Sequence, residues 1–201
     1  MKNRILLYVL IFANFYGYCQ NNYINELLAH RKSVDIEFGD TTQSILPNAM
    51  ALDFEHLNYF KPNEDYKVNC KVKVSVGEEF DLLTSKGETK KYRRYGYLKF
   101  KLNGKRFKLP IYQSIRLMKM DKYKDYIFIP FTDLTSGNES YGGGRYIETS
   151  IPHGKNFVLD FNYAFNPYCH YTIGYNCPIP PSENFLDIEI LAGEKVYRVK
   201  Y

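Results

Sequence analysis

The sequence predicts a mainly-β fold, an antiparallel sandwich or partly open barrel with short N-terminal helices packed on it. Three observations predict it. The hydrophobic period switches from helical to two near Tyr66 and stays there. An Asn103-Gly104 pair sits between two alternating runs. Aromatic residues make up 17%, with 20 Tyr and no Trp, and tyrosine suits half-buried strands because its ring packs while its hydroxyl reaches water or a partner. The 201 residues suffice for one domain with a real core. No repeat, low-complexity tract or linker divides them.

The N-terminus reads MKNRILLYVLIFANFYGYCQ. Basic Lys2 and Arg4 precede an apolar run from Ile5 to Phe15, then Gly17 and Cys19 at a spacing suited to cleavage. The run is too short to span a bilayer, so residues 1–19 read as a secretory signal and Gln20 as the mature start. Lipid anchoring at Cys19 is the competing reading, disfavoured by the bulky Tyr16 and Tyr18. The expected destination is periplasmic or secreted, without a stable membrane span. Formal charge is +5, and loss of Lys2 and Arg4 leaves about +3. That is too weak to argue for nucleic acid.

Residues 20–65 form an N-terminal helical segment, in one domain with the β region 66–201. Ile24, Leu27 and Leu28 lie at helical spacing within Asn22–Ser33. Thr41–Pro47 is a loop, and Ala49–Leu57 a second short helix before Pro62. YKVNCKVKVSV, from Tyr66, alternates cleanly, with Lys67, Asn69, Lys71 and Lys73 toward water. The run Lys90, Lys91, Arg93 and Arg94 reads as a solvated strand start. GYLKFKL and KRFKLPIY flank Asn103-Gly104; Leu98, Phe100 and Leu102 face one way, as do Phe107, Leu109 and Ile111. DYIFIPF is a more buried strand. RYIETSI and NFVLDF follow as a hairpin across Pro152, His153 and Gly154. LDIEILA and KVYRV close the chain as a hairpin around Gly193.

Export changes the cysteine arithmetic. Cys70 shares the alternation of Val68, Val72 and Val74 and reads as a small buried hydrophobe. Cys169 and Cys177 close a short loop rich in Pro, Tyr and Asn, and an oxidising compartment makes a disulfide their natural pairing. Cys169, His170, Cys177 and Glu183 match no zinc spacing, so no metal is expected. No cofactor motif is present, nor a G-x-S-x-G, H-E-x-x-H or EF-hand pattern. Cys169 and His170, adjacent in an extended chain, point apart and do not form a catalytic pair.

The densest unusual stretch runs from Asp133 to Pro181. TDLTSGNESYGGGRYIET, VLDFNYAFNPYC and CPIPPSENFLDIEILAGE resemble the domain-of-unknown-function 1684 family of bacteria and archaea. The resemblance extends upstream through YRRYGYLKFKLNGKRFKLPIYQS and IFIPFTD. It implies a grouping and no mechanism. The family pattern often places a small or apolar residue after the first cysteine; here His170 stands there, so the resemblance implies no role for it.

The same stretch supplies the candidate site: Thr135, Glu139, Tyr141, Gly143, Gly144, Arg145, Asp160 and Asn162. Gly142, Gly143 and Gly144 allow positive φ or a close backbone approach, and their N–H groups could cradle an anion; a tight turn or bulge is the plainer reading. Counting back from a turn near Pro152–Lys155 puts Arg145 opposite Asp160 or Phe161. That pair would fix the sheet or present a donor fork to a carboxylate or phosphate. Asp133, Thr135, Glu139 and Tyr141 crowd the loop before the glycines, where they serve as turn residues or as acid–base groups. Asn166, before Pro167, reads as architectural, and Asn162 as the better ligand contact. The leading expectation is an exported envelope protein binding a small polar or anionic ligand, with the Cys169–Cys177 loop as a stiff wall. The alternatives are a hydrolase with Glu139 or Asp160 as base and Arg145 as oxyanion support, and a structural protein without a small-molecule site.

Overall fold

The computed structural model describes residues 22–197. The expected signal segment and the end of the KVYRV run lie outside them. The chain divides into two compact units: one runs to Ser44 and takes in Asn48–His56, the other comprises Ile45–Pro47 and everything from Leu57.

The first unit is helical. Helix α1 covers 22–39, longer than the expected Asn22–Ser33. Tyr23, Leu27, Arg31 and Phe38 form its buried stripe. It stops at Asp40, whose carboxylate accepts the Thr42 N–H at 2.9 Å and so offers the backbone a turn instead of another helical bond. Helix α2 is Asn48–Leu52, shorter than the expected Ala49–Leu57. The Phe38 and Phe54 rings meet at 5.7 Å, tilted by 36°, within the unit. No helix among the described residues is long and apolar enough to cross a membrane.

The second unit is a strongly curled half-barrel. Its strands are β1 (Lys67–Val74), β2 (Glu79–Leu83), β3 (Thr89–Leu102), β4 (Lys105–Ser114), β5 (Tyr126–Asp133), β6 (Arg145–Ser150), β7 (Asn156–Asp160) and β8 (Phe185–Leu186). The main path runs β6-β5-β4-β3-β1-β7, with β2 beside β3 and β8 beside β5. All ladders are antiparallel except β5–β8.

The β3–β4 hairpin forms as expected: Leu102 pairs with Lys105, and Asn103 and Gly104 both take positive φ. The main core holds Val68, Cys70, Leu98, Phe100, Leu109, Ile111, Ile129, Phe131 and Leu159. Burial pushes the Cys70 thiol up to about 12, as suits an inert packed cysteine. A second cluster, Leu82, Tyr92, Tyr112, Phe128 and Tyr146, occupies the other face of the sheet. The chain from Phe165 to Asn184 covers it. Phe165 packs there, Tyr146 Oη donates to the Pro178 carbonyl, and Tyr112 Oη reaches Glu183 and Asn184. In the basic run Lys91 pairs with Asp81 at 2.7 Å and Arg93 donates to Gln113.

Two expected hairpins do not form. RYIETSI and NFVLDF become β6 and β7 but occupy opposite edges of the path, β6 on β5 and β7 on β1. Arg145 faces Phe131 and Asp160 faces Lys67, so the expected Arg145–Asp160 pairing is absent. The short link between the edges has a structural consequence. Ile151 N–H still bonds Asp125, and the Lys155 carbonyl accepts from Val72, leaving only 152–154 to cross. Four Cα steps reach at most about 14 Å, whereas six flat strands span about 24 Å. The sheet must curl until its edges nearly meet. Beyond the end of β7, Phe165 bridges Tyr146 of β6. LDIEILA is also no hairpin strand. Only its first residue, Leu186, lies in β8; the rest runs irregularly, Leu134 N–H bonding Ile188 O, and past Gly193 the next residue, Glu194, bridges Tyr59.

Candidate functional site

Asp133 ends β5 and Arg145 begins β6, with the TSGNESYGGG loop between them. Arg145 is 0% exposed. One of its terminal nitrogens donates to Ala192 O at 2.5 Å and Glu194 O at 3.2 Å. The other reaches Asp133 Oδ1 at 3.0 Å, Ile190 O at 2.9 Å and Thr135 Oγ1 at 3.4 Å. Phe60 and Phe131 cover its faces at 5.7 and 5.2 Å. Only Nε lacks a partner. Burial lowers the guanidinium pKa, and Asp133 opposes that shift. The fork therefore clasps alternate carbonyls of the irregular segment 190–194. Such buried carbonyls must find donors when no neighbouring strand supplies them.

Asp133 completes the clasp. Its Oδ2 accepts from Thr135 N, Thr135 Oγ1 and Ile190 N at 3.2, 2.8 and 2.8 Å. Thr135 Oγ1 also lies 2.8 Å from Ser140 Oγ. Gly144, at φ +84°, packs so closely that a Cβ would lie 2.6 Å from Phe131 O. At Gly143 a Cβ would run into the Tyr141 ring.

The predicted residues thus separate into three groups. Thr135, Gly144 and Arg145 lie in the buried clasp. Asp160 and Asn162 form another knot: Asn162 donates to Asp160 Oδ1 and Asn63 O, both at 2.8 Å, and accepts from Asn63 N–H at 3.0 Å. Asn162 is buried and has both amide hydrogens engaged within the chain. Glu139, Tyr141 and Gly143 are at the rim. Asn166 is architectural as expected, its amide bonding Lys195 O at 2.9 Å and Tyr171 Oη at 3.2 Å. The hydrolase arrangement requires Arg145 to face a substrate, yet its donors are buried and directed to chain carbonyls.

At the rim, Glu139 accepts from Lys195 Nζ at 3.1 Å. Around that ion pair lies a groove of about 370 Å³, lined by Asn58, Tyr59, Asn138, Glu139, Lys195 and Val196. Glu139 is the one predicted site residue in its lining. Asn58 and Lys195 gave no local sequence signal, because they meet only when the chain end bonds back, Lys195 N–H to Asn58 O at 2.8 Å.

Cys169 and Cys177 are bonded, their sulfurs 2.29 Å apart. Beside them His170 is half-buried against the Tyr141 ring at 4.6 Å, and its Nε2 accepts the Tyr197 N–H at 2.8 Å. Burial lowers its pKa from 6.5 to about 4. The folded state holds the neutral ring, while the unfolded chain takes up a proton first as pH falls. The stabilisation is complete above pH 6.5 and is lost progressively toward pH 4. After discounting for partial exposure we expect about 1–2 kcal/mol. Urea midpoints from pH 7 to 4 should fall more steeply in wild type than in His170→Gln; parallel curves would exclude this origin.

An antiparallel half-barrel with a buried arginine clasp and a polar rim defines a β-fold protein whose fold alone carries no chemistry. Residues 52–195 match the family described as Protein of unknown function (DUF1684), and the chain belongs to that family. The chain is also similar to an uncharacterized protein from gene locus rrnAC0354 of Haloarcula marismortui, solved by solution NMR. Identity is 34%, covering 89% of this chain and 96% of that one, with a TM-score of 0.65. No curated protein matches the chain.

Proposed function

We propose that the protein is an exported envelope protein that binds a small polar ligand in the groove beside Glu139. One observation carries this reading: a carboxylate, an ammonium and two amide side chains converge on a groove whose loop is anchored by the Arg145 clasp. Opposite charges and amides on one wall suit a zwitterion or a polyhydroxyl compound better than a simple anion. The clasp holds the loop, so the groove is formed before a ligand arrives. The disulfide accords with export, since such bonds persist in oxidising compartments. The expected anion cradle at the glycines moves, on this reading, to the rim.

Calorimetry with free amino acids, hexoses and dicarboxylates tests it. At least one compound should bind wild type, and Glu139→Gln with Lys195→Met should weaken that binding tenfold or more without shifting the urea midpoint. No binding across the panel, or equal binding by the variant, would favour a structural protein, the reading to which the internal bonding of both terminal nitrogens of Arg145 already lends weight.

A further inference from the structure

The outward face of the central strands carries a charge pattern that the groove reading does not use. Lys71 and Lys73 on β1, Lys99 and Lys101 on β3, and Arg106 and Lys108 on β4 are all exposed. Register puts them side by side: Lys71 opposite Lys99, Lys99 opposite Lys108, Lys101 opposite Arg106. None of the six has a carboxylate within ion-pairing distance among the described residues; Lys71 bonds the Asn156 amide at 2.7 Å and Lys108 sits 3.8 Å over the Tyr97 ring. A shallow depression of about 550 Å³ lies here, lined in part by Asn69, Lys99, Lys101, Arg106 and Lys108. Six charges exceed the +5 of the whole chain, so the other residues sum to −1.

Like charges directly opposite one another destabilise a sheet. Lysines guard exposed edges against aggregation, which accounts for Arg106 and Lys108, because β4 pairs β5 only at Tyr112; Lys71 and Lys99 have a paired strand on each side and guard no edge. Solubility is served as well by mixed signs. The pattern therefore fits an anionic partner that neutralises it.

We infer that this face docks an anionic polysaccharide. The row Lys71–Lys99–Lys108 places one charge per strand, about 4.8 Å apart. Five of the six are lysines, point charges that follow charge density and do not grip a single anion in a fork. Tyr97 lies under a patch cation, and Phe100 and Phe107, which also line the depression, pack against the core, so the patch lacks the stacking platform of single-stranded nucleic acid. Val158 and Val74 are exposed nearby, too little apolar surface to enter a lipid headgroup layer. The inference is independent of the Glu139 groove.

The test measures binding of the purified chain to polygalacturonate, with dextran, phosphatidylglycerol vesicles and a single-stranded oligonucleotide as comparisons. Wild type should bind polygalacturonate and not dextran, weakening about tenfold or more between 50 and 200 mM salt. The triple variant Lys99→Gln, Lys101→Gln, Lys108→Gln should lose at least tenfold while melting no lower than wild type. Lys90→Gln with Lys91→Gln, outside the patch, should bind within twofold of wild type. The inference is overturned if wild type ignores polygalacturonate, if both variants lose alike, or if vesicles or the oligonucleotide bind more tightly.

Discussion

Replacing Arg145 with methionine should cost about 3–5 kcal/mol in urea unfolding, the largest loss expected from any single side chain here. The reason is what the change leaves behind. Asp133 is buried and loses its countercharge, and the carbonyls of Ile190, Ala192 and Glu194 lose their donors together. Against a typical total of about 5–15 kcal/mol this approaches unfolding. Should Arg145→Met not accumulate folded, Arg145→Lys keeps the charge but not the fork and should fall between the two. Adding Asp133→Asn to Arg145→Met should recover part of the loss, because the stranded carboxylate is gone. A loss under about 1 kcal/mol would mean the segment 190–194 is held by something else.

The second large effect lies one residue earlier. Gly144→Ala should cost about 3 kcal/mol or more, from left-handed strain and from a Cβ pressed on the Phe131 carbonyl and Pro180. Gly142 has ordinary φ and no backbone atom closer than 3.4 Å to a Cβ, so Gly142→Ala should be nearly neutral. Thermal or urea unfolding of the two single variants separates them. Equal effects would mean the triple glycine acts through chain flexibility and not through close packing at one position.

These two cases mark where sequence reasoning succeeds and stops. An Asn-Gly turn between alternating runs announces itself because register across a two-residue turn depends on a few adjacent residues. Burial of Cys70 followed from its period-two neighbours, and the expected disulfide from compartment and loop. Arg145 was recognisable as unusual, but its partners were not. Asp133 lies at the far end of a loop, and three of the other four acceptors are backbone carbonyls, which have no residue signature. The expected β6–β7 hairpin rested on the tendency of consecutive strands to pair. Here the sheet curls, and a short link can join opposite edges as readily as neighbours.

The amino-acid order by itself determined the β class, the central hairpin, much of the core (Val74, expected on the buried face of β1, is 57% exposed), and where the chain departs from regular structure. Those properties depend on near neighbours and on alternation. Tertiary structure alone decided which edge each strand occupies, that Arg145 grips the chain's end, that Glu139 meets Lys195 beside a groove, and that six cations share one outer face. Each depends on residues far apart in sequence being brought together by curvature, and curvature belongs to the whole sheet.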